Sequence, residues 1–339
     1  MLQTKICELL GIELPIISAG MGAVALSNLA GAVSHAGGLG IIGLAGLHTA
    51  AIHEEIAAAR KITKKPIGVN LLIPFLRPGM AEAVADEPIQ AVTFFWGTPA
   101  EYADSIRRLQ AAGIKVIWQC GSANEARAAA DAGVDAIMAQ GVEAGGHVRG
   151  IVTTLALVPE VRDAIGDLPM VAAGGLADGR GLAAVLALGA DGAVFGTRFL
   201  ASTESAAHRE YKQAVLGARA EDTLHTTLFD IGWPDAAHRV IRTATVAQWE
   251  HAGQPPSGKR PGEGEPAGVM RREGMELPLV RYSVTPPADY IEGDIAGLAF
   301  YAGQSCGLVR EILPAAEIVR RIANEARAVI ANRLAPLAR

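Results

Sequence analysis

One phrase recurs along this chain and narrows its fold more than any other feature. A small-residue helix end meets a glycine, and a short apolar run follows. It reads His35-Ala-Gly-Gly-Leu-Gly-Ile-Ile42, Ala111-Ala-Gly-Ile-Lys-Val-Ile117, Asp131-Ala-Gly-Val-Asp-Ala-Ile137 and Leu188-Gly-Ala-Asp-Gly-Ala-Val194. A glycine past the last helical turn takes positive φ without a Cβ clash, so it stops the helix and redirects the chain. An apolar run directly after it suits a strand buried on both faces of a parallel sheet. The phrase marks the α-to-β junction of a βα repeat.

Applied along the chain, the rule predicts eight strands near residues 15–19, 39–43, 66–70, 90–95, 114–119, 135–140, 169–173 and 191–196. Ala-rich amphipathic stretches at 50–61, 100–112, 123–132 and 178–188 are long enough for helices between them. Eight βα units in about 220 residues point to an α/β fold of the (β/α)8 TIM barrel type. A doubly wound sheet is the alternative, but it usually needs fewer strands. With 50% hydrophobic and 19% charged residues the chain can bury a large core, which excludes wholesale disorder. Its 39 glycines follow no three-residue period, which excludes collagen.

A net charge of −5 argues against a nucleic-acid partner, which would need a clustered basic face. Cys7, Cys120 and Cys306 are odd in number and far apart, so no disulfide framework is read and a reducing cytoplasm is expected. Residues 14–52 hold no Asp, Glu, Lys or Arg. Glycines, Pro15, Asn28, His35 and His48 nevertheless interrupt that run too often for a membrane span, and the N-terminus lacks the apolar core of a signal peptide. The oligomeric state stays open, a homodimer included.

Beyond the eighth unit the pattern changes. Residues 1–221 are assigned to the barrel, 222–300 to an insertion and 301–339 to a closing helix packed on the barrel. Nine of the sixteen residues at 253–268 are Gly or Pro, which predicts a long loop with neither helix nor central strand, either a lid or a passive excursion. From Cys306 to Leu337 a helical pattern returns through Leu308, Val309, Ile312, Leu313, Ile318, Val319, Ile322, Val329 and Ile330.

In such a barrel the chemistry sits at the C-terminal ends of the strands. After the seventh predicted strand comes Ala172-Ala-Gly-Gly-Leu-Ala-Asp-Gly-Arg180, and after the eighth Val194-Phe-Gly-Thr-Arg-Phe199. Two glycine loops on adjacent strands let backbone N–H groups approach an anion, and these two loops are the fold's usual phosphate site. After the sixth stands Gln140-Gly-Val-Glu-Ala-Gly-Gly-His147, which places an imidazole at the mouth behind paired glycines. With a reference pKa near ~6.5, His147 suits proton transfer near neutrality. Glu143 either pairs with it or caps a turn. His35, His48, His53, His208, His225, His238 and His251 form no zinc-like set with Cys or carboxylates, and no nucleophile elbow is present, so no metal site and no covalent nucleophile are expected.

These motifs resemble those of the nitronate monooxygenase family, formerly 2-nitropropane dioxygenases, which are flavin enzymes on a (β/α)8 barrel. The similarity runs through Pro15-Ile-Ile-Ser-Ala-Gly-Met-Gly22, Ala36-Gly-Gly-Leu-Gly40, Gly68-Val-Asn70, the Gln140–His147 string, Ala173-Gly-Gly-Leu-Ala-Asp-Gly-Arg180, Gly196-Thr-Arg-Phe199 and Tyr301-Ala-Gly-Gln-Ser305. The resemblance implies FMN. Ala19, Gly20 and Met21 would line its ring system, and Asn70 would bond the ring edge. Gln119, Gln140, Gly145 and Gly146 would contact the flavin, and Gly174, Gly175, Val194, Phe195, Gly196 and Thr197 would surround its phosphate end. His147 would be the catalytic base toward a nitroalkane, or as imidazolium the partner of a nitronate. Tyr301 and Ser305 would bind the nitro group, and O2 would complete conversion to a carbonyl compound and nitrite.

Two other classes share the glycine loops. An FMN barrel using NAD(P)H to reduce quinones or enoyl thioesters is the principal alternative. The other is a flavin-free isomerase or binding module for a phosphorylated small molecule. A nucleotide dehydrogenase of the inosinate type fits poorly, because Cys120 and Cys306 do not lie on suitable loops.

Overall fold

The computed structural model describes residues 2–272 and 275–338; Met1, Glu273, Gly274 and Arg339, which the expected three-part division includes, lie outside the described residues. Eight parallel strands form the barrel: β1 (Ile16–Ser18), β2 (Gly40–Gly43), β3 (Ile67–Leu72), β4 (Ala91–Phe95), β5 (Lys115–Cys120), β6 (Ala136–Gln140), β7 (Met170–Ala173) and β8 (Gly192–Phe195). Their hydrogen-bonded order is β1-β8-β7-β6-β5-β4-β3-β2. Leu39 closes the ring onto β1: its N–H donates to Ile16 O at 2.9 Å, and its carbonyl accepts from Ser18 N–H at 3.0 Å. All eight expected strands are present within two residues of their expected bounds, and the fold is a (β/α)8 barrel. The junction glycines Gly37, Gly113, Gly133 and Gly189 take φ of +100°, +83°, +83° and +101°, the conformation the recurring phrase demands.

Strand alternation splits the core in two. Ile17, Leu39, Ile41, Ala91, Ile117, Ala136, Met138, Val171 and Val194 fill the barrel interior. Ile6 and Leu10 from the helix Lys5–Leu10 pack on that same interior cluster. The opposite strand faces meet the surrounding helices Ser27–His35, Thr49–Ile62, Met80–Ala85, Ala103–Ala111, Ala123–Asp131, Thr154–Ile165 and Gly179–Ala187. Among the described residues no helix is long and apolar enough to cross a membrane. Cys7, Cys120 and Cys306 are free and buried.

The segment after the barrel is more ordered than its composition predicts. Strands Thr223–Thr226 and His238–Ile241 pair antiparallel, and the second also pairs with the two-residue strand Gly146–His147. Pro266–Arg272 is the middle strand of a three-stranded sheet between Met275–Val280 and Ile291–Glu292. The Pro/Gly loop therefore ends at 265 rather than 268. Pro266 is tolerated because it is the first residue of its strand, where a missing N–H costs least. The closing helix also needs correction. It begins at Ala315, with Pro314 as its N-cap, and runs to Val329, so Leu308, Val309, Ile312 and Leu313 lie before it. A proline lacks the N–H and the space that a helix interior requires. Ile318, Val319, Ile322, Ala323 and Ala326 bury the helix's apolar face, and Glu325 accepts a hydrogen bond from Gly179 N–H at 2.8 Å.

The 253–265 loop is organised around one buried cation. The Arg260 side chain is 2% exposed and pairs with Asp230 at 2.7 Å and with Glu263. It also lies 4.5 Å over the Tyr282 ring. The Arg260 hydrogen bond holds the Glu263 carboxyl down to about pKa 2. A depressed carboxylate adds stability above its unfolded value, and that contribution disappears as pH falls toward the folded one. Arg260→Ala leaves two carboxylates facing a hole, so it is expected to cost about 3–5 kcal/mol in chemical denaturation at pH 7. The variant should also lose less further stability than the wild type between pH 5 and about 2, because Glu263 no longer titrates abnormally.

Candidate active site

The same alternation that fills the barrel places the site. Inward residues toward the C-terminal ends of the strands face a mouth cavity of about 550 Å³, lined by Ala19, Asn70, Thr93, Gln119, Gln140, Ala173 and Val194 among others. Gly20, Met21, Gly145, Gly146, His147, Gly174, Gly175, Gly196, Thr197, Tyr301 and Ser305 complete the convergence of expected residues on that cavity. Phe195 is the exception and corrects the sequence reading. Next to the inward Val194, it faces outward, is fully buried in the helix-facing core and meets Phe199 edge-on at 6.3 Å. Its contribution at the mouth is a carbonyl that accepts Ala19 N–H at 3.0 Å.

The polar groups of the wall are held in place. Asn70 donates from Nδ2 to Thr93 Oγ1 at 2.9 Å, which leaves its carbonyl as the remaining acceptor. Gln140 donates from Nε2 to His147 O at 3.2 Å, and its buried Oε1 has no hydrogen-bond partner among the described residues. Glu143 does not pair with His147. Its carboxylate accepts Thr154 N–H at 2.9 Å at the start of the Thr154–Ile165 helix, while Thr154 Oγ1 lies 2.9 Å from Gly174 O. Glu143 thus fastens the loop after β6 to the loop after β7.

Glycine lets two backbones touch at the mouth. A Cβ on Gly145 would fall 2.3 Å from Gly303 N, and one on Gly303 would fall 2.7 Å from Glu143 O. Gly303 N–H donates to Thr197 Oγ1 at 3.0 Å, and Gln304 N–H to Glu143 O at 2.9 Å. The 301–305 segment is thereby tied to the loops after β6 and β8, and so Tyr301 and Ser305 reach the cavity.

His147 stands in an aromatic surround. Its ring stacks on Trp233 at 4.0 Å and 26°. His238 lies 5.4 Å away, Tyr301 5.4 Å and Trp96 6.0 Å. His147 Nε2 is buried with no hydrogen-bond partner among the described residues. Burial, with a smaller contribution from His238, pushes the His147 imidazole down to about pKa 3. Burial likewise holds His238 down to about 4. The tautomer of His238 follows from its partners: Nδ1–H donates to Ala236 O at 2.8 Å, and Nε2 accepts Phe229 N–H at 3.2 Å. Two neutral imidazoles face each other across the antiparallel pair, one fully bonded and one open.

Sequence reasoning missed Thr93, Trp233 and the cations Arg77 and Arg272, all of which line the cavity. Thr93 was within reach, because it is the inward residue of β4 at the level of Asn70. Trp233 and Arg272 arrive from the segment after the barrel, where no periodicity announces a direction. Arg272 is anchored by an ion pair with Glu55 at 2.5 Å. The Pro/Gly loop does not line the cavity; the strands beyond it supply Met270, Arg272 and Leu277.

Comparison with known proteins places this arrangement. The family model for nitronate monooxygenase matches residues 3–80 and 77–325. A 5-hydroxy-7a-methyl-1-oxo-octahydro-1H-indene-4-carboxyl-CoA dehydrogenase of Mycobacterium tuberculosis is 40% identical over 252 residues, 74% of this chain and 69% of that one. A probable nitronate monooxygenase of Staphylococcus aureus is 34% identical over 273 residues, 67% of this chain and 76% of its own length. Among solved structures, FabK from Thermotoga maritima superposes with a TM-score of 0.80 at 35% identity, covering 97% of both chains. The nitroalkane oxidase of Streptomyces ansochromogenes gives 0.77 at 29% identity, covering 96% of this chain and 99% of that one.

Burying two neutral imidazoles makes the fold acid-sensitive. An unfolded imidazole titrates near ~6.5, so this stability is complete above that pH and drains away as pH falls toward the folded values. Denaturation at pH 5 is expected to show a loss on the order of 1–2 kcal/mol per imidazole relative to pH 7.5, and His238→Gln should flatten that slope.

Proposed function

The chain belongs to the nitronate monooxygenase family and is an oxidoreductase, and on that premise we propose that it oxidises alkyl nitronates and nitroalkanes, with FMN and O2, to carbonyl compounds and nitrite. The observation that carries this reading is His147. It lines the cavity as an uncharged imidazole whose buried Nε2 has no protein partner among the described residues. An uncharged imidazole has its lone pair available for a proton, and the negative charge left on the substrate would offset the burial that lowers its basicity.

The cavity suits FMN on three counts. A Cβ on Gly196 would meet nothing nearer than Ala19 Cβ at 3.7 Å, so the missing side chain leaves cavity space in front of that backbone. Gly174 and Gly175 take consecutive φ of +99° and +71°, a turn that bares main chain before the helix Gly179–Ala187. Together with Thr197 these residues would hold the phosphate. The buried Gln140 Oε1, without a hydrogen-bond partner among the described residues, is an acceptor suited to a ring N–H, since leaving such a bond unmade costs about 1–3 kcal/mol. Ala19, Gly20 and Met21 would lie along the ring, with Asn70 and Gln119 at its edge. When bound, FMN supplies electron acceptance from the nitronate and reaction with O2.

The protein's own part is proton transfer and orientation. His147 takes the α-proton of a neutral nitroalkane, and the nitronate that forms beside it stabilises the resulting imidazolium. The neutral resting state favours this base role over that of a standing imidazolium for a preformed nitronate. Ser305 lines the same cavity and is assigned to the nitro group, whereas Tyr301, expected to share that role, lines the cavity with its one O–H proton committed elsewhere. Tyr301 O–H donates to Val284 O at 2.9 Å, which fixes the ring beside His147.

A second reading has its own support. The relative at 40% identity carries the name of a CoA-thioester dehydrogenase. An FMN oxidoreductase that takes hydride from NAD(P)H and acts on a quinone or an enoyl thioester would use the same cradle. Anaerobic mixing separates the two: bleaching of the flavin bands by NAD(P)H alone, with no oxygen uptake on propyl-2-nitronate, selects the second. For the first, His147→Asn should retain FMN in the visible spectrum. Nitrite formation from neutral nitroalkanes should fall by about 10²–10⁴-fold, with a much smaller loss on preformed nitronates. Equal losses on both substrates would remove the base role.

A further inference from the structure

Trp233 is the point at which the segment after the barrel grips the barrel mouth. Its indole stacks on His147 from the loop after β6. It also meets Trp96 from the loop after β4 edge-on at 4.9 Å and 72°, and Phe75 from the turn after β3 edge-on at 5.3 Å and 86°. Three loops thus converge on one side chain that is 8% exposed. Trp96, the brace, has φ of +69°. A bulky residue in the left-handed region costs on the order of 1–3 kcal/mol, and it persists only where its surroundings hold it. Trp233 is fixed from behind as well. Its backbone N–H donates to the Asp230 backbone carbonyl at 2.9 Å, and the Asp230 carboxylate is held by buried Arg260 at 2.7 Å.

We propose that Trp233 is a positioning residue for His147, clamping the imidazole in one orientation against the strand Gly146–His147 and keeping water from its face. The inference rests on His147 being the proton-transfer group. The geometry is direct: at 4.0 Å and 26° the two rings cover one another, so the imidazole cannot rotate without displacing an indole that Trp96 and Phe75 hold in place. The titratable side chains facing the imidazole are His238 and Tyr301. His238 is spent on two hydrogen bonds and Tyr301 on Val284 O. Neither serves as an ionic partner, so apolar cover is what sets the state of the base, in line with the low pKa that burial gives it.

The test uses the FMN-loaded protein and two readouts, of which only one needs activity. In Trp233→Leu, the His147 imidazole, followed by NMR of ring-labelled histidine and assigned with His147→Asn, is expected to titrate at least about one pH unit higher than in the wild type. The acid limb of the kcat/KM profile on a neutral nitroalkane should rise with it, and kcat should fall by about tenfold or more while KM changes little. Trp233→Phe, which keeps an aromatic face, should restore both to near wild type. An unchanged imidazole titration in Trp233→Leu, with FMN content and melting intact, overturns the proposal. Should Trp233→Leu fail to fold, Trp96→Leu withdraws the brace instead, and there an unshifted titration is the overturning result. Because the titration is read without turnover, a failed clamp is distinguishable from a failed choice of reaction, which the substrate comparison on His147→Asn decides.

Discussion

Which side of a barrel strand a residue faces decides what it can do, and that parity carries the rest of this structure. Along β6, Met138 and Gln140 face inward while Ile137 and Ala139 face the helices. Along β8, Val194 is inward and Phe195 outward. The lower inward residues are apolar and seal the barrel. Above them Asn70, Thr93, Gln119 and Gln140 are inward polar residues with the hydrocarbon floor beneath, and on β3 and β4 the apolar Leu72 and Phe95 follow them at the rim. A pleated strand offers only two directions, so neighbouring strands set these polar groups side by side on the cavity wall.

Much of this was legible in the residues. The junction glycines announced the repeat at four of the eight strands, because positive φ at a helix end is a local demand that only a short list of residues meets. The glycine strings after β6, β7 and β8 announced the mouth for the same reason: they mark close backbone approach, and Gly145 against Gly303 shows how close. Phe195 was misread because a motif is a run of letters while a strand alternates. The start of the last helix was misread because hydrophobic spacing continued through Pro314, which caps that helix at its N-terminus.

What composition could not reveal is the partner on the far side. The Pro/Gly stretch looked like slack chain, yet it wraps a buried guanidinium that two carboxylates share. His238 looked like one of several unremarked histidines, yet it lies register-matched against His147 in an antiparallel pair. Both depend on contacts between segments distant in sequence, for which periodicity carries no signal. The aromatic surround of His147 is of the same kind: Trp96, Trp233 and Tyr301 come from three separate stretches and acquire meaning only together.

The route from Arg260 through Asp230 to Trp233 bears on how such an enzyme could be engineered. Loop shortening is a common remedy for a glycine- and proline-rich excursion, and residues 253–265 would be the obvious target. Here the excursion supplies Arg260, which holds the Asp230 carboxylate at the start of the turn that carries Trp233. Trimming it would remove Arg260 and strand the Asp230 carboxylate beside that turn, so the cut would reach the cavity wall as well as the surface.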